Sequence, residues 1–395
     1  MYIEQGTKQY RRTTLALFAA GVVTFANLYV TQPLMPIFTE QFEISPAAAS
    51  LSLSAATGML AISLLFFGSL SEAIGRKNIM SFSIICTSLI TICLAFTSNY
   101  ETIIVLRIIQ GFIFAGVPAI AMAYLAEEMS QRRLAVVMGL YISGNSIGGL
   151  SGRLIIGITT DFFSWQMGVL LLGIFSLLLS IYFIWALPPS RHFKAQPLHV
   201  RSLITSLIGH TKHIGLNSLF AIAFLLMGGF VTLYNYIGFK LLDAPYHLST
   251  TIVGSIFLIY LVGTFSSTWF GSLAGRFGKP KTLLSGILIM LVGLLCTIFT
   301  PLTLKISGIV LFTFGFFGAH SIASGAVTQL AKTNKGQASS LYLFSYYLGS
   351  SVCGAIGGLF WAQKGWDGVV SFILLLLFAA VVCAIVYRQQ AIKSI

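Results

Sequence analysis

The chain has 395 residues, 56% of them hydrophobic and 8% charged, and a mean hydropathy of +0.90. Soluble domains carry roughly 25% charged residues, so this chain cannot cover a water-facing surface and reads as an integral membrane protein. Its net charge of +13 does not imply nucleic acid, because the bases are spread over many short segments instead of clustering in one folded domain.

A membrane-crossing helix needs about 20 mostly apolar residues. Lys8, Arg11 and Arg12 precede the first such run. That run is too long for a signal core and lacks a cleavage site of small residues, so 14–36 is read as the first span. Eleven more follow at 47–70, 78–97, 101–124, 134–156, 168–187, 214–238, 250–271, 282–300, 304–326, 338–360 and 368–387. The loops are short, except for 188–213, which holds Pro188, Pro189, Pro197 and four histidines. It reads as a cytoplasmic linker between an N-terminal half, 1–187, and a C-terminal half, 214–395.

With the N-terminus in the cytoplasm, eighteen of the 23 basic residues fall in cytoplasmic segments. The exceptions are Arg107, Arg153, Lys240, Lys305 and Lys364. Lys and Arg concentrate on the cytoplasmic side, so both termini are expected there, in agreement with an even number of spans.

The halves repeat. Gly68-Ser69-Leu70-Ser71-Glu72-Ala73-Ile74-Gly75-Arg76-Lys77 returns as Gly271-Ser272-Leu273-Ala274-Gly275-Arg276-Phe277-Gly278-Lys279. Tyr141, Gly148, Gly157 and Trp165 match Tyr342, Gly349, Gly358 and Trp366 at an offset of 201 residues. A cytoplasmic hairpin with glycines for the turn accounts for Gly75, Arg76 and Lys77. It does not account for Glu72.

Arg107 lies in the fourth span, within Leu106-Arg107-Ile108-Ile109-Gln110-Gly111. An arginine at mid-helix costs about 2.5–3.5 kcal/mol on insertion scales. It therefore either faces a cavity or partner, or snorkels to the nearby interface. In the fifth span, Gly144 and Gly148 lie four apart on one face, as close helix packing requires.

Polar side chains recur in particular spans. They are Asn27, Tyr29 and Gln32 in the first, Tyr141 and Asn145 in the fifth, and Tyr234, Asn235 and Tyr236 in the seventh. The tenth has His320 among Phe314, Phe316 and Phe317, and the eleventh has Tyr342, Tyr346 and Tyr347. Singly, each reads as helix–helix glue worth ~0.6 kcal/mol; together they suggest an aromatic, hydrogen-bonding substrate cavity. His320 is open to two readings, a packed imidazole or a group that carries a proton near neutral pH.

All ten acids lie at span ends or in loops, which disfavours a cation pump built on a mid-membrane carboxylate. The five cysteines lie in apolar runs without metal or redox spacing and read as small hydrophobes. No nucleophile–base or metal constellation suggests an enzyme, no Gly-x-x-x-x-Gly-Lys-Ser/Thr run suggests nucleotide-driven transport, and no cofactor or metal is expected.

The repeated glycine loop resembles the loop between helices 2 and 3 of the major facilitator superfamily, with Glu72 and Ala73 where that family has Asp and Arg. The Arg107, Gln110 and Gly111 run resembles its fourth-helix motif, which takes part in proton coupling. The fifth span resembles the Gly-Pro-x-x-Gly-Gly motif of drug:proton antiporters, with Asn145 in place of the proline. Tyr141 to Gly149 and Gly336 to Ser351 resemble YnfM-type inner-membrane transport proteins.

The resemblance implies an all-α fold of twelve transmembrane helices in two six-helix halves and alternating access. It also implies a gating loop at Gly68, Glu72, Gly75, Arg76, Lys77, Gly271, Arg276 and Gly278, and coupling through Arg107, Gln110 and His320. The expected activity is proton-coupled export of small amphipathic molecules by a monomer in a bacterial inner membrane, in contact with lipid and without nucleic acid. Uptake of a metabolite, anionic if Arg107 binds it, and lipid or glycolipid flipping are the alternatives.

Overall fold

The computed structural model describes residues 2–130, 134–193, 195, 205, 207–331 and 333–393. Arg132, Arg133, Lys194, Arg201 and Lys332, counted above among the cytoplasmic bases, and much of the 188–213 linker lie outside the described residues.

The described chain is a succession of helices: α1 Lys8–Leu28, α2 Met35–Gln41, α3 Pro46–Ile74, α4 Arg76–Leu94, α5 Tyr100–Phe114, α6 Ala121–Glu128, α7 Leu134–Phe162, α8 Trp165–Ala186, α9 Ile214–Leu242, α10 Thr250–Ser255, α11 Leu261–Phe277, α12 Lys279–Cys296, α13 Leu302–Leu330 and α14 Lys335–Lys393. Nine helical stretches among the described residues are long and apolar enough to cross a membrane. One of them contains two crossings, because α14 bends at Lys364 and at Gly365, whose φ is 55°. With α5–α6 and α7, the chain reaches the twelve expected crossings.

Three spans are less regular than expected. The first stops as an α-helix at Leu28 and continues through a 3-10 turn at Gln32–Leu34 into α2. The fourth, read as continuous over 101–124, breaks at 115–120. Pro118 in that break lacks an N–H and disfavours helix at the residue before it. The eighth is divided by a 3-10 segment at Ile256–Tyr260.

The helices form two compact units. Unit 1 holds Met1–Leu34, Ala55–Leu198 and Ser249–Phe257; unit 2 holds Met35–Ser54, His199–Leu248 and Leu258–Ile395.

Glycine faces set the packing inside each unit. In unit 1, a Cβ at Gly144 or Gly148 would strike the Phe18 or Val22 carbonyl oxygen, and one at Gly152 would meet Ala26 Cα at 2.8 Å. Three glycines at helical spacing thus seat α7 directly on the backbone of α1. Ser88 and Ser180 link α4 to α8 through a 3.0 Å hydroxyl contact. Unit 2 repeats the device, with Gly349 of α14 on the Phe224 carbonyl of α9, and Gly228 of α9 2.6 Å, by the same construction, from Cys353 Sγ. Lipid tails are as apolar as leucine, so such close van der Waals contact, and not hydrophobic burial, holds helices together in a bilayer.

This packing carries a prediction. Gly148→Ala overpacks the α1–α7 crossing and costs about 1–3 kcal/mol, seen as a lower melting temperature in detergent. Gly139, on the same helix with nothing within 4 Å of a built Cβ, tolerates alanine without loss. Equal melting temperatures for the two variants would contradict the assignment.

Candidate functional site

In unit 1, Asn99 starts α5 by accepting a hydrogen bond from Glu101 N at 2.7 Å. Two turns later the helix delivers Arg107 and Gln110 to the interior, both 0% exposed. Arg107 Nη1 donates to Asn27 O at 3.0 Å and to Gln110 Oε1 at 2.5 Å, and Nη2 donates to Leu28 O. Gln110 Nε2 donates to Thr87 O at 3.0 Å and Thr91 Oγ1 at 2.8 Å. Asn27 Nδ2 donates to Ser176 Oγ at 2.8 Å. Arg107 therefore does not snorkel. It binds the last carbonyls of α1, of which Asn27 O also accepts from Val30 N at 3.5 Å, at a helix end that favours a cation.

A second buried arginine gathers other predicted residues. Arg153 of α7 is 1% exposed. Its Nε donates to Gln32 Oε1 at 2.8 Å and its Nη1 to Gly149 O at 2.6 Å. The guanidinium carbon lies 4.0 Å from the Tyr29 ring centroid and 4.5 Å from that of Phe257. Tyr29 and Gln32 were expected in a substrate cavity, whereas Arg153, which unites them, stood out in the sequence only as an exception to the bias of the bases, although an arginine inside an apolar span is itself a signal. Tyr141 and Asn145 sit apart from both arginines. Tyr141 is 2% exposed, and Asn145 Oδ1 lies where a Cβ on Gly21 would stand, so both belong to the α1–α7 crossing.

Unit 2 contains an aromatic group of different character. Phe312, Phe316 and His320 follow one another at four-residue spacing on one face of α13. Phe316 stacks on Phe230 with 3.8 Å between centroids, and Tyr260 stands 4.8 Å from Tyr234. Tyr234 Oη and Thr313 Oγ1 are 2.7 Å apart. His320 Nδ1 is 2.9 Å from Tyr342 Oη, and that hydroxyl also lies 3.3 Å from His320 O. The Tyr346 ring is 4.7 Å from the imidazole.

Tyr236 and Asn235 turn toward a different contact. Tyr236 Oη donates to Gly354 O at 2.8 Å, and Asn235 Nδ2 lies 3.1 Å from a Cβ built on Gly354. They join α9 to α14. Phe230 and Tyr260 complete the aromatic group and were not singled out from the sequence, where a lone aromatic in an apolar span carries no distinguishing mark.

The two glycine loops adopt matching turns, with φ of 113° at Gly75 and 82° at Gly278, a region open to glycine at no steric cost. Space around Gly68 and Gly271 is open. Arg76 Nη2 lies 2.7 Å from Glu127 Oε1 and only 3.6 Å from Glu72, and Nη1 donates to Ser71 Oγ at 2.5 Å. Lys77 Nζ donates to Leu187 O at 2.5 Å. In the second loop Lys279 Nζ reaches Gly325 O at 3.0 Å, and Arg276, at the end of α11, is exposed. The nearer partner of Arg76 is thus Glu127, at the end of α6, which the sequence placed only among the acids at span ends or in loops. The adjacent Glu128 accepts from His192 N at 2.8 Å, and its backbone carbonyl accepts from Ile3 N at 2.8 Å, which ties the N-terminal arm to the same cluster.

Twelve crossings, a repeated glycine hairpin and buried polar groups on several helices define a helical membrane transporter. A family model for the Major Facilitator Superfamily matches residues 17–353 and 241–393, and the chain belongs to that superfamily. It is 50% identical over 379 residues to the uncharacterized MFS-type transporter YybF of Bacillus subtilis, covering 96% of this chain and 94% of that one. It is 48% identical to the inner membrane transport protein YnfM of Escherichia coli over 96% of this chain and 91% of the other. A bacterial homolog of the human lysosomal transporter Spinster, solved in an inward-facing and unoccupied conformation, shares the fold with a TM-score of 0.80 at 14% identity over 98% of each chain. The chain is a secondary transporter of this superfamily.

The loop geometry separates two carboxylates. Glu127→Gln removes the charged partner of a nearly buried guanidinium and lowers stability by about 1.5–3 kcal/mol. Glu72→Gln, at a half-exposed acid, costs less than about 1 kcal/mol. Thermal unfolding of the two purified variants distinguishes them, and an equal or reversed ranking would remove Glu127 from its role.

Proposed function

We propose proton-coupled export of small, largely aromatic amphipathic molecules by alternating access, with His320 as the group that exchanges the proton. The observation that carries this reading is the position of Tyr342 Oη, within hydrogen-bonding distance of both His320 Nδ1 and His320 O. A neutral imidazole can accept at Nδ1 from the hydroxyl. An imidazolium can donate from Nδ1 to Oη while the hydroxyl turns its own proton to the backbone carbonyl. One tyrosine thus satisfies both protonation states without moving a heavy atom.

The rings of Phe230, Tyr234, Tyr260, Phe316 and Tyr346 around that pair suit a flat apolar substrate with one polar group. Arg107 and Gln110 would support coupling by holding α1 in position, and Glu72 would act in the gating loop. We further propose cytoplasmic termini, two halves at 1–187 and 214–395 joined by the 188–213 linker, an inner-membrane location and a monomeric transporter. Uptake of an anionic metabolite is the second reading, favoured by the buried Arg153 beside Gln32.

Flux of an aromatic cationic dye such as ethidium from proteoliposomes under an imposed pH gradient tests the proposal. Wild type should drive the dye against its gradient. His320→Gln should lose at least tenfold of the gradient-driven rate while keeping the fold. Tyr342→Phe, which keeps the ring and removes the shared hydroxyl, should lose most of it as well. Gradient-driven flux unchanged in His320→Gln would reject His320 as the proton carrier, and dye flux indifferent to the gradient in wild type would reject proton coupling.

A further inference from the structure

Five basic residues depart from the cytoplasmic bias of the sequence. Two, Arg107 and Arg153, are engaged inside unit 1. The other three, Lys240, Lys305 and Lys364, come from the end of α9, the start of α13 and the bend of α14, and in unit 2 they line one cleft of about 340 Å³. The cleft lies at the end of the helices opposite the Gly271–Lys279 hairpin, since the span Thr250–Phe277 runs between the two.

Lys305 is 1% exposed, and its ammonium donates to Thr297 O. It stands 5.8 Å from the Tyr246 ring centroid and 5.7 Å from that of Trp366. Trp366 Nε1 donates to the same Thr297 carbonyl at 3.1 Å, and Tyr246 Oη donates to Thr300 O at 2.5 Å. Lys240 Nζ reaches Ala244 O at 3.3 Å and lies 5.9 Å from the Tyr246 ring. Partial burial raises the Tyr246 phenol above the ordinary tyrosine value.

Helix ends account for Lys305, because Thr297 ends α12, and for Lys240, which lies in the last turn of α9; a carbonyl end favours a cation. They do not account for Lys364, nor for all three converging on one cleft where Asp367 is the one acid among the lining residues. Like charges gathered at one place repel, and they lie here at the end of the helices that carries few bases. An anion seated among them removes the repulsion.

We propose that this cleft binds a phosphoryl group. An ammonium is a compact point charge, and three of them from separate elements suit a tetrahedral oxyanion; a planar carboxylate is better matched by the arginine fork. The group could come from an anionic phospholipid, whose headgroup depth suits Tyr246 and Trp366, or from a soluble phosphate.

The test uses the full-length protein in an uncharged detergent and measures thermal unfolding. Inorganic phosphate is compared with chloride at equal ionic strength, and phosphatidylglycerol with phosphatidylcholine in mixed micelles. A ligand that prefers the folded state raises the melting temperature. One of the two phosphates should raise it by several degrees with saturation, and K240Q/K364Q, which spares the buried Lys305, should raise the apparent Kd at least tenfold. Without ligand the variant should melt no lower than wild type, because repulsion is relieved; if it fails to fold, Lys364→Gln alone at the exposed position carries the comparison. A shift with phosphatidylglycerol only assigns a lipid headgroup, and a shift with free phosphate assigns a soluble ligand. No shift beyond the controls, or a shift that persists unchanged in the variant, would overturn the site.

Discussion

The contact on which unit 1 depends is that between the Arg107 guanidinium and the carbonyls of Asn27 and Leu28. In hydrocarbon no water is present to satisfy a backbone group, so an interrupted helix needs an internal partner at the interruption. The first span is interrupted after Leu28, and the fourth span supplies the partner. Side chains also meet backbone groups where other helices begin or end. Lys305 and Trp366 bind the Thr297 carbonyl at the end of α12, and the Asp161 carboxylate accepts from Thr250 N at 3.2 Å and Thr251 N at 2.7 Å at the start of α10. In a chain with 8% charged residues, Arg107, Lys305 and Asp161 all serve helix termini. Broken helices are also where such a fold can present backbone and polar groups to a substrate.

The two units share a scaffold and differ in chemistry. Tyr141 and Tyr342 occupy equivalent places in the repeat, and so do Gly148 and Gly349. Tyr342 meets His320, whereas Tyr141 packs at the α1–α7 crossing. Unit 1 instead holds its polar groups around two buried arginines. Duplication thus explains the packing, and divergence at a few side chains explains why one unit offers an ion network and the other an aromatic group with a titratable centre.

The spans were legible because a run of about 20 apolar residues has few other uses, and close packing of the fifth span was legible in the spacing of Gly144 and Gly148, though not that its partner is α1. Interruptions were harder to read. Hydropathy ran unbroken through 101–124, and only Pro118 marked the break. Arg107 with Gln110 could be anticipated, since the cost of a buried charge demands a partner; the carbonyls it binds could not, because they depend on where α1 stops. Tyr29 and Gln32 were picked out for their polarity and Arg153 only as an exception to the bias of the bases, although all three form one cluster. Tyr234 and Tyr236 looked equivalent on one helix, but they lie on different faces, one toward Thr313 and the other toward Gly354.

The central claim is that Arg107 maintains the broken first span. Hydrogen exchange over Tyr29–Leu34, compared between wild type and Arg107→Gln in the same detergent, tests it directly. The account predicts faster exchange confined to this segment and to the adjoining last turn of α1, with α8 and unit 2 protected as in wild type. Unchanged protection at Tyr29–Leu34 in a folded Arg107→Gln protein would contradict it.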